Sequence, residues 1–318
     1  MTRSIRAATA ALALVLAAAA CGDDGGTTDA ATRTGGGAGG DESSFPVEVE
    51  TVNGPVTIGE RPERIVSLSA SHTEMLFAID AGDQIEAVDE YSTYPEEAPV
   101  TDLSGFEPNV EAVAGYDPDL VVINYDANDL VAGLDALDIP VVELPAAANL
   151  DETYEQIDAL GEATGHPGEA DALVDDMQSE IQALVDRVPE RTEPVTYYHE
   201  LDDQLHTATS ATFIGSIYAL AGLENIADDA DDGSGFPQIS AELVLDADPD
   251  VIFLADESGG VTPETVAARA GWGDLTAVRE GRVVQLDPDI ASRWGPRIVD
   301  FLRTVVEATA EIEPAAAA

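Results

Sequence analysis

One stretch of this chain is written twice. Residues 106–123 read FEPNVEAVAGYDPDLVVI, and residues 236–254 read FPQISAELVLDADPDVIFL. Glu111 and Glu242 stand 131 residues apart, and Asp117 and Asp248 repeat that offset. In each copy a Glu opens a short helix, Asp-Pro-Asp stops it, and an apolar strand follows. Asp-Pro alone is a common helix stop. A shared offset over several features points instead to two related lobes, each with its own buried strands.

The segments around the repeat agree. Ile65-Val66-Ser67-Leu68 is a short β-branched run, and a helical pattern follows it to Gly82. Ser71 and Glu74 have the spacing of a capping box at the start of that helix. Val121-Val122-Ile123 and Val141-Val142 read as further buried strands, with Leu130, Leu134 and Leu137 at helical spacing between them. Alternating strand and helix at this spacing predicts parallel α/β sheets. Residues 151–190 differ. Two helical patterns flank Gly165-His166-Pro167-Gly168, and the second is expected over about 169–187. From Val195 the strand pattern resumes. The expected organisation is a first lobe over 45–150, a connecting region over 151–190, a second lobe over 191–312 and a tail over 313–318.

The first residues read as an address. Arg3 and Arg6 precede an apolar run of small residues that ends at Cys21, the only cysteine. The run is too short to span a bilayer, which needs about 20 apolar residues. A positive start and small residues before the cut describe a secretory signal over 1–20. Cys21 after Ala-Ala-Ala resembles a bacterial lipobox, with Ala18 where Leu is usual, and implies lipid attachment at that cysteine. A single cysteine allows no intrachain disulfide. Residues 21–44 are rich in Gly, Asp and Thr and read as a flexible tether.

Charge excludes several functions. The chain has 63 acidic residues against 13 basic ones, all arginine, for a net charge of −50. Nucleic-acid binding needs clustered basic groups on one face. Docking on anionic lipid needs the same. The acidity itself is read as a hydrated surface suited to a salty or alkaline exterior.

Read in order, the segments RIVSLSASHTEMLFAIDAG, YSTYPEEAP and DLSGFEPNVEAVAGYDPDLVVI resemble the first lobe of periplasmic binding proteins for ferric siderophores and vitamin B12. TSATFIGSIYALAGLENIA, FPQISAELVLDADPDVIFLA and EGRVVQLDPDIASRWGPRIVDFL resemble the second lobe. The resemblance runs from about residue 50 to 310. It implies two Rossmann-like lobes joined by one long helix, a ligand cleft between them, and delivery of the ligand to an ABC permease. It also implies that Glu111 and Glu242, one per lobe, dock on basic residues of the permease. A first-turn acid gains about 0.3–1 kcal/mol from the helix dipole without any partner, so the placement alone does not require docking.

Loops at the carboxyl ends of strands line such a cleft. The candidates are Tyr91, Tyr94, Phe106, Tyr198, His199, Phe236, Arg293, Trp294 and Arg297. Aromatics give broad apolar contact, and arginines suit anionic oxygens. The arginines favour an iron(III)–siderophore complex, with a corrinoid as the alternative. Iron or cobalt would enter only inside the ligand, so no cofactor is expected. The protein is expected to be a monomer, held to the membrane by its N-terminal lipid. Two weaker readings stand beside this one. His72, His166, His199 and His206 leave room for a direct metal or haem binder. Ser67, Ser69 or Ser71 beside His72 would be needed for an anchored hydrolase, but no nucleophile elbow is present. The expectation is therefore a binding protein, not an enzyme.

Overall fold

A computed structural model describes residues 45–256 and 260–312. The signal 1–20, Cys21, the tether to residue 44 and the tail 313–318 lie outside the described residues. The chain enters through an antiparallel hairpin, β1 (Val47–Val49) and β2 (Val56–Ile58).

The first lobe follows. It runs β3 (Ile65–Ser67), α1 (Ala70–Ala78), β4 (Ile85–Asp89), β5 (Val100–Leu103), α2 (Val110–Ala114), β6 (Leu120–Ile123), α3 (Leu130–Asp135) and β7 (Val141–Glu143). The strand order is β5-β4-β3-β6-β7, and every pairing is parallel. Strands β3 and β6 are buried at each position, which is why they read as continuous apolar runs rather than alternating ones. The first strand lies in the middle of the sheet. The chain therefore winds outward in both directions, and a crevice opens at the carboxyl ends of β3 and β6.

Two packed helices lead out of this lobe. α4 (Leu150–Thr164) ends at Gly165, whose φ of 79° is left-handed. α5 (Pro167–Val185) starts at once. The long helix begins two residues earlier than its expected start because Pro is well accepted in a first turn, where its missing N–H is not needed. One apolar core runs from Ile65 through Ile157 and Leu160 of α4, then Met177 and Ile181 of α5, to Phe253 and Phe301 beyond. The connection is thus packed into both halves.

The second lobe runs β8 (Val195–Glu200), α6 (Phe213–Leu220), β9 (Leu223–Asn225), α7 (Ala241–Ala247), β10 (Val251–Leu254), α8 (Pro263–Ala267), α9 (Thr276–Arg279), β11 (Val283–Gln285), α10 (Pro288–Ser292) and α11 (Ile298–Thr309). Its parallel sheet has the order β11-β10-β8-β9.

The written repeat is also a structural one. Asn109 caps α2 by accepting from the Ala112 amide at 2.9 Å, and Ser240 caps α7 by accepting from the Leu243 amide at 3.2 Å. Asp117 and Asp248 both adopt left-handed backbone, with φ of 49° and 44°, a conformation that Asp tolerates better than most residues. Two residues on, Asp119 accepts from the amides of Glu63 and Arg64 at 2.9 and 3.0 Å. Asp250 accepts from the amide and hydroxyl of Thr196 at 3.0 and 3.2 Å. In each lobe the second Asp of Asp-Pro-Asp pins the entry of one central strand to the next.

One local expectation fails. Helix α1 starts at Ala70 with Ser69 in the cap position, and no side chain caps it. Ser71 and Glu74 lie inside the helix. Glu74 turns its carboxylate toward two arginines of the second lobe, which bind it far more strongly than a single amide would.

Candidate functional site

A cleft of about 470 Å³ opens at the carboxyl ends of the first lobe's strands. Its walls are Leu68 to Ser71 after β3, Asp89 and Tyr91 at the end of β4, Gly105 and Phe106 after β5, and Asn124 and Tyr125 after β6. The second lobe closes it with Pro288, Asp289 and Ser292 of α10 and with Arg293 and Trp294 just beyond. Crossover topology explains the clustering, since each loop leaves a neighbouring parallel strand at the same end.

Four of the nine expected contacts meet here: Tyr91, Phe106, Arg293 and Trp294. Tyr91 stacks edge-to-face on Phe106 at 5.3 Å between centroids, and Phe106 lies 6.4 Å from Tyr125. Tyr91 and Phe106 are 51% and 61% exposed. Large aromatics left exposed side by side mark a surface built to be covered. Tyr94 stands beside the cleft with the Arg297 guanidinium 4.1 Å from its ring centroid. Phe236 is exposed on the second lobe but does not line this cavity.

Tyr198 and His199 do not reach the cleft. Both are fully buried within β8. Tyr198 packs edge-on to Trp272 at 6.2 Å. His199 Nδ1 bonds the Tyr218 hydroxyl at 2.8 Å, and burial drives its pKa down to about 3. A strand covered on both faces directs its side chains into the core, so aromatic type alone misled at these positions. Ser69, Ser71, Asp89, Asn124 and Tyr125 line the cleft beyond the expected contacts. They were findable, because each stands at or just past the carboxyl end of a central strand.

The two arginines are not free. Arg293 donates to Glu74 Oε1 at 2.8 Å and to the Tyr91 carbonyl at 2.9 Å, and it pairs with Asp289 at 2.8 Å. Arg297 donates through Nε to Glu74 Oε2 at 2.9 Å and through Nη2 to Oε1 at 2.6 Å. Asp300, three residues further on, is not the acceptor. Glu74 is 3% exposed, so the cluster sits almost out of water. A second link lies next to it. Gln156 donates its amide to the Pro145 carbonyl at 2.7 Å, which leaves Oε1 as acceptor. Trp294 Nε1 and His72 Nε2 both donate to that oxygen at 3.0 Å. His72 is therefore neutral with its proton on Nε2, and its buried Nδ1 has no partner. Burial lowers its pKa to about 4, against the opposing pull of Gln156.

Metal and hydrolase readings fare differently from the cleft. Among the described residues, no three His, Cys, Asp or Glu side chains are grouped so as to hold a metal ion. His72 is bound to Gln156, His166 to Arg61, and His206 to Asp202. Ser67 donates to the Ser69 carbonyl and accepts from Thr73, with no histidine beside it. Glu111 and Glu242 are both exposed, each the second residue of its capped helix.

Comparison with known proteins decides the family. Residues 65–290 match the model of the periplasmic binding protein family. The chain belongs to that family. A cobalamin-binding protein of Halobacterium salinarum is 34% identical over 276 residues, covering 83% of this chain and 74% of the relative. An ABC transporter substrate-binding lipoprotein of Bacillus subtilis is 31% identical, covering 83% and 85%. The vitamin B12 binding protein of Vibrio cholerae superposes with a TM-score of 0.63 at 27% identity, over 77% of this chain and 96% of that one. This periplasmic binding protein is thus an extracytoplasmic solute-binding component of an ABC transporter, not an enzyme. Such proteins carry a transported ligand rather than a cofactor. Among the described residues, no helix is long and apolar enough to cross a membrane.

Proposed function

We propose that this protein captures a corrinoid in the cleft and delivers it to an ABC permease. The observation that carries the reading is the fate of the arginines. The ferric-siderophore expectation rested on Arg293 and Arg297 as receptors for anionic oxygens. Both already hold Glu74, and Arg293 holds Asp289 as well. Among the described lining residues Arg293 is the one cation, so the cleft offers an anionic complex no unspent positive charge. Its remaining wall is aromatic rings, hydroxyls, an amide, small apolar groups and the Asp89 carboxylate, which suit a large amide-rich ligand that carries no net negative charge. The names of the relatives support the same ligand.

The delivery step rests on Glu111 and Glu242. Their equivalent, exposed positions on the two lobes fit a permease with two-fold basic docking sites. Anchoring through a lipid on Cys21 would hold the body near that permease, in line with a lipoprotein relative.

Titration calorimetry tests the ligand. Cyanocobalamin is expected to bind with one site per chain, and a trianionic ferric catecholate to bind at least 100-fold more weakly. The reverse order of affinity sinks the corrinoid reading and restores the siderophore one.

A further inference from the structure

Asp89 is the one carboxylate of the cleft wall that has no cationic partner within ion-pair distance among the described residues. Glu74 and Asp289 balance Arg293 and Arg297 in direct ion pairs. Asp89 makes no such pair, and its buried Oδ1 has no hydrogen-bond partner. The side chain is 3% exposed, yet it lines the cavity at the last position of β4. Burial raises its pKa, while the Ser92 hydroxyl and amide, the Tyr91 amide and the charge of Arg293 act in the opposite sense. The neighbouring backbone makes room for it. A Cβ on Gly105 would lie 2.6 Å from Asp89 Oδ2 and 2.6 Å from the Leu68 carbonyl. Any larger residue there would force the carboxylate or the Leu68 backbone to shift, so Asp89 and Gly105 are fitted to one another.

A buried acceptor without a donor is costly, and a charged one more so. A carboxylate placed like this has no use in holding the lobes together, because Glu74 and Gln156 already do that. We propose that Asp89 is a specificity-determining residue that receives an N–H donor of the ligand and turns away ligands carrying an anion at that place. Resting on the corrinoid reading, the donor is one of the primary amides at the edge of the macrocycle. A ligand amide supplies the missing hydrogen bond. A ligand carboxylate would face Asp89 as a like charge in a low-dielectric wall.

The test uses the full chain, with Asp89→Asn and Asp89→Ala, titrated with cyanocobalamin and with its monocarboxylate derivatives. In these, one edge amide at a time is replaced by a carboxylate. Asp89→Ala is expected to weaken cyanocobalamin at least tenfold. At least one monocarboxylate isomer is expected to bind the wild-type chain at least tenfold more weakly than cyanocobalamin and to recover on Asp89→Asn. Thermal midpoints of both variants are expected to match or exceed the wild type, since an unpaired buried charge has been removed. Cyanocobalamin affinities within twofold of wild type in both variants, with no isomer that recovers, overturn the role of Asp89 and leave the corrinoid reading standing. A wild-type chain that binds no corrinoid overturns that reading instead. Asp89 is then read on the ferric complex that does bind: a cationic trihydroxamate that loses affinity in Asp89→Ala supports it, and a trianionic tris-catecholate overturns it.

Discussion

Glu74 and Arg297 meet in a two-point contact, at 2.9 and 2.6 Å, across 223 residues of sequence. The pair joins helix α1 of the first lobe to the start of α11 in the second, and Arg293 adds a third bond to the same carboxylate. Breaking a buried pair from one side leaves uncompensated charge and costs about 3–5 kcal/mol. Glu74→Ala strands two arginines at once and is expected to fall in that range by urea unfolding. The triple variant Glu74→Met, Arg293→Met, Arg297→Leu removes all the charge together and is expected to lose much less stability. Equal losses in the two variants would mean that shape, not charge, holds this contact.

Acid is expected to unfold the protein through its buried histidines. His72 has a pKa near 4 in the fold and His199 near 3, against 6.5 for a free side chain. Below pH 6.5 the unfolded chain takes up protons that the fold refuses. Stability therefore falls as pH drops from 6.5, until about pH 4 for His72 and about pH 3 for His199. His72 contributes about 3 kcal/mol and His199 about 5 kcal/mol to that loss, at about 1.4 kcal/mol per pKa unit. Asp89, with its raised pKa, acts with the opposite sign in the carboxylate range. The check is urea unfolding from pH 7 to 4 for wild type and His72→Gln. A slope unchanged by the substitution would falsify the assignment to His72.

The fold was legible because its rule is local and written twice. Buried parallel strands announce themselves as apolar runs, and Asn109, Ser240, Asp119 and Asp250 repeat their roles at one offset. The cleft was legible in outline, because loops after parallel strands converge at one end of a sheet. Its chemistry was not. Nothing near Glu74 in sequence reveals that Arg293 and Arg297 will reach it, since ion pairs between distant segments leave no spacing behind. Tyr198 and His199 failed for a related reason. Their strand is covered on both faces, and only the packed sheet shows that neither side chain escapes the core.

Trp294 gives the cleft an optical reporter. It lines the wall and donates to Gln156, whereas Trp272 is 1% exposed under Arg269 in the second lobe. A bound corrinoid absorbs where indole emits, so cyanocobalamin is expected to quench emission strongly and saturably. Trp294→Phe is expected to remove most of the ligand-dependent change. Full quenching in that variant would place the bound chromophore nearer to Trp272.

Salt is expected to stabilise the body. The net charge of −50 makes the folded chain repel itself, and screening shortens the reach of that repulsion from about 10 Å at 0.1 M to about 3 Å at 1 M. The thermal midpoint is expected to rise by several degrees or more between 0.1 and 2 M NaCl. A flat or falling midpoint would show that the acids are spaced widely enough to need no screening.

Glu111 and Glu242 carry the last prediction, on transport. Each is exposed at the second position of a capped helix, 131 residues from its counterpart, and neither lines the cleft. Removing them takes away at most the helix-dipole term of about 0.3–1 kcal/mol each, so the fold and the ligand site should hold. Glu111→Ala with Glu242→Ala is expected to leave cyanocobalamin affinity unchanged within twofold while uptake into cells with the native permease falls at least tenfold. Each single variant is expected to lose less, because one lobe still engages. Arginine at both positions should abolish uptake, since it would set like charge against the basic docking residues proposed on the permease. Uptake at the wild-type rate in the double alanine variant, with affinity intact, would remove these two acids from the docking surface.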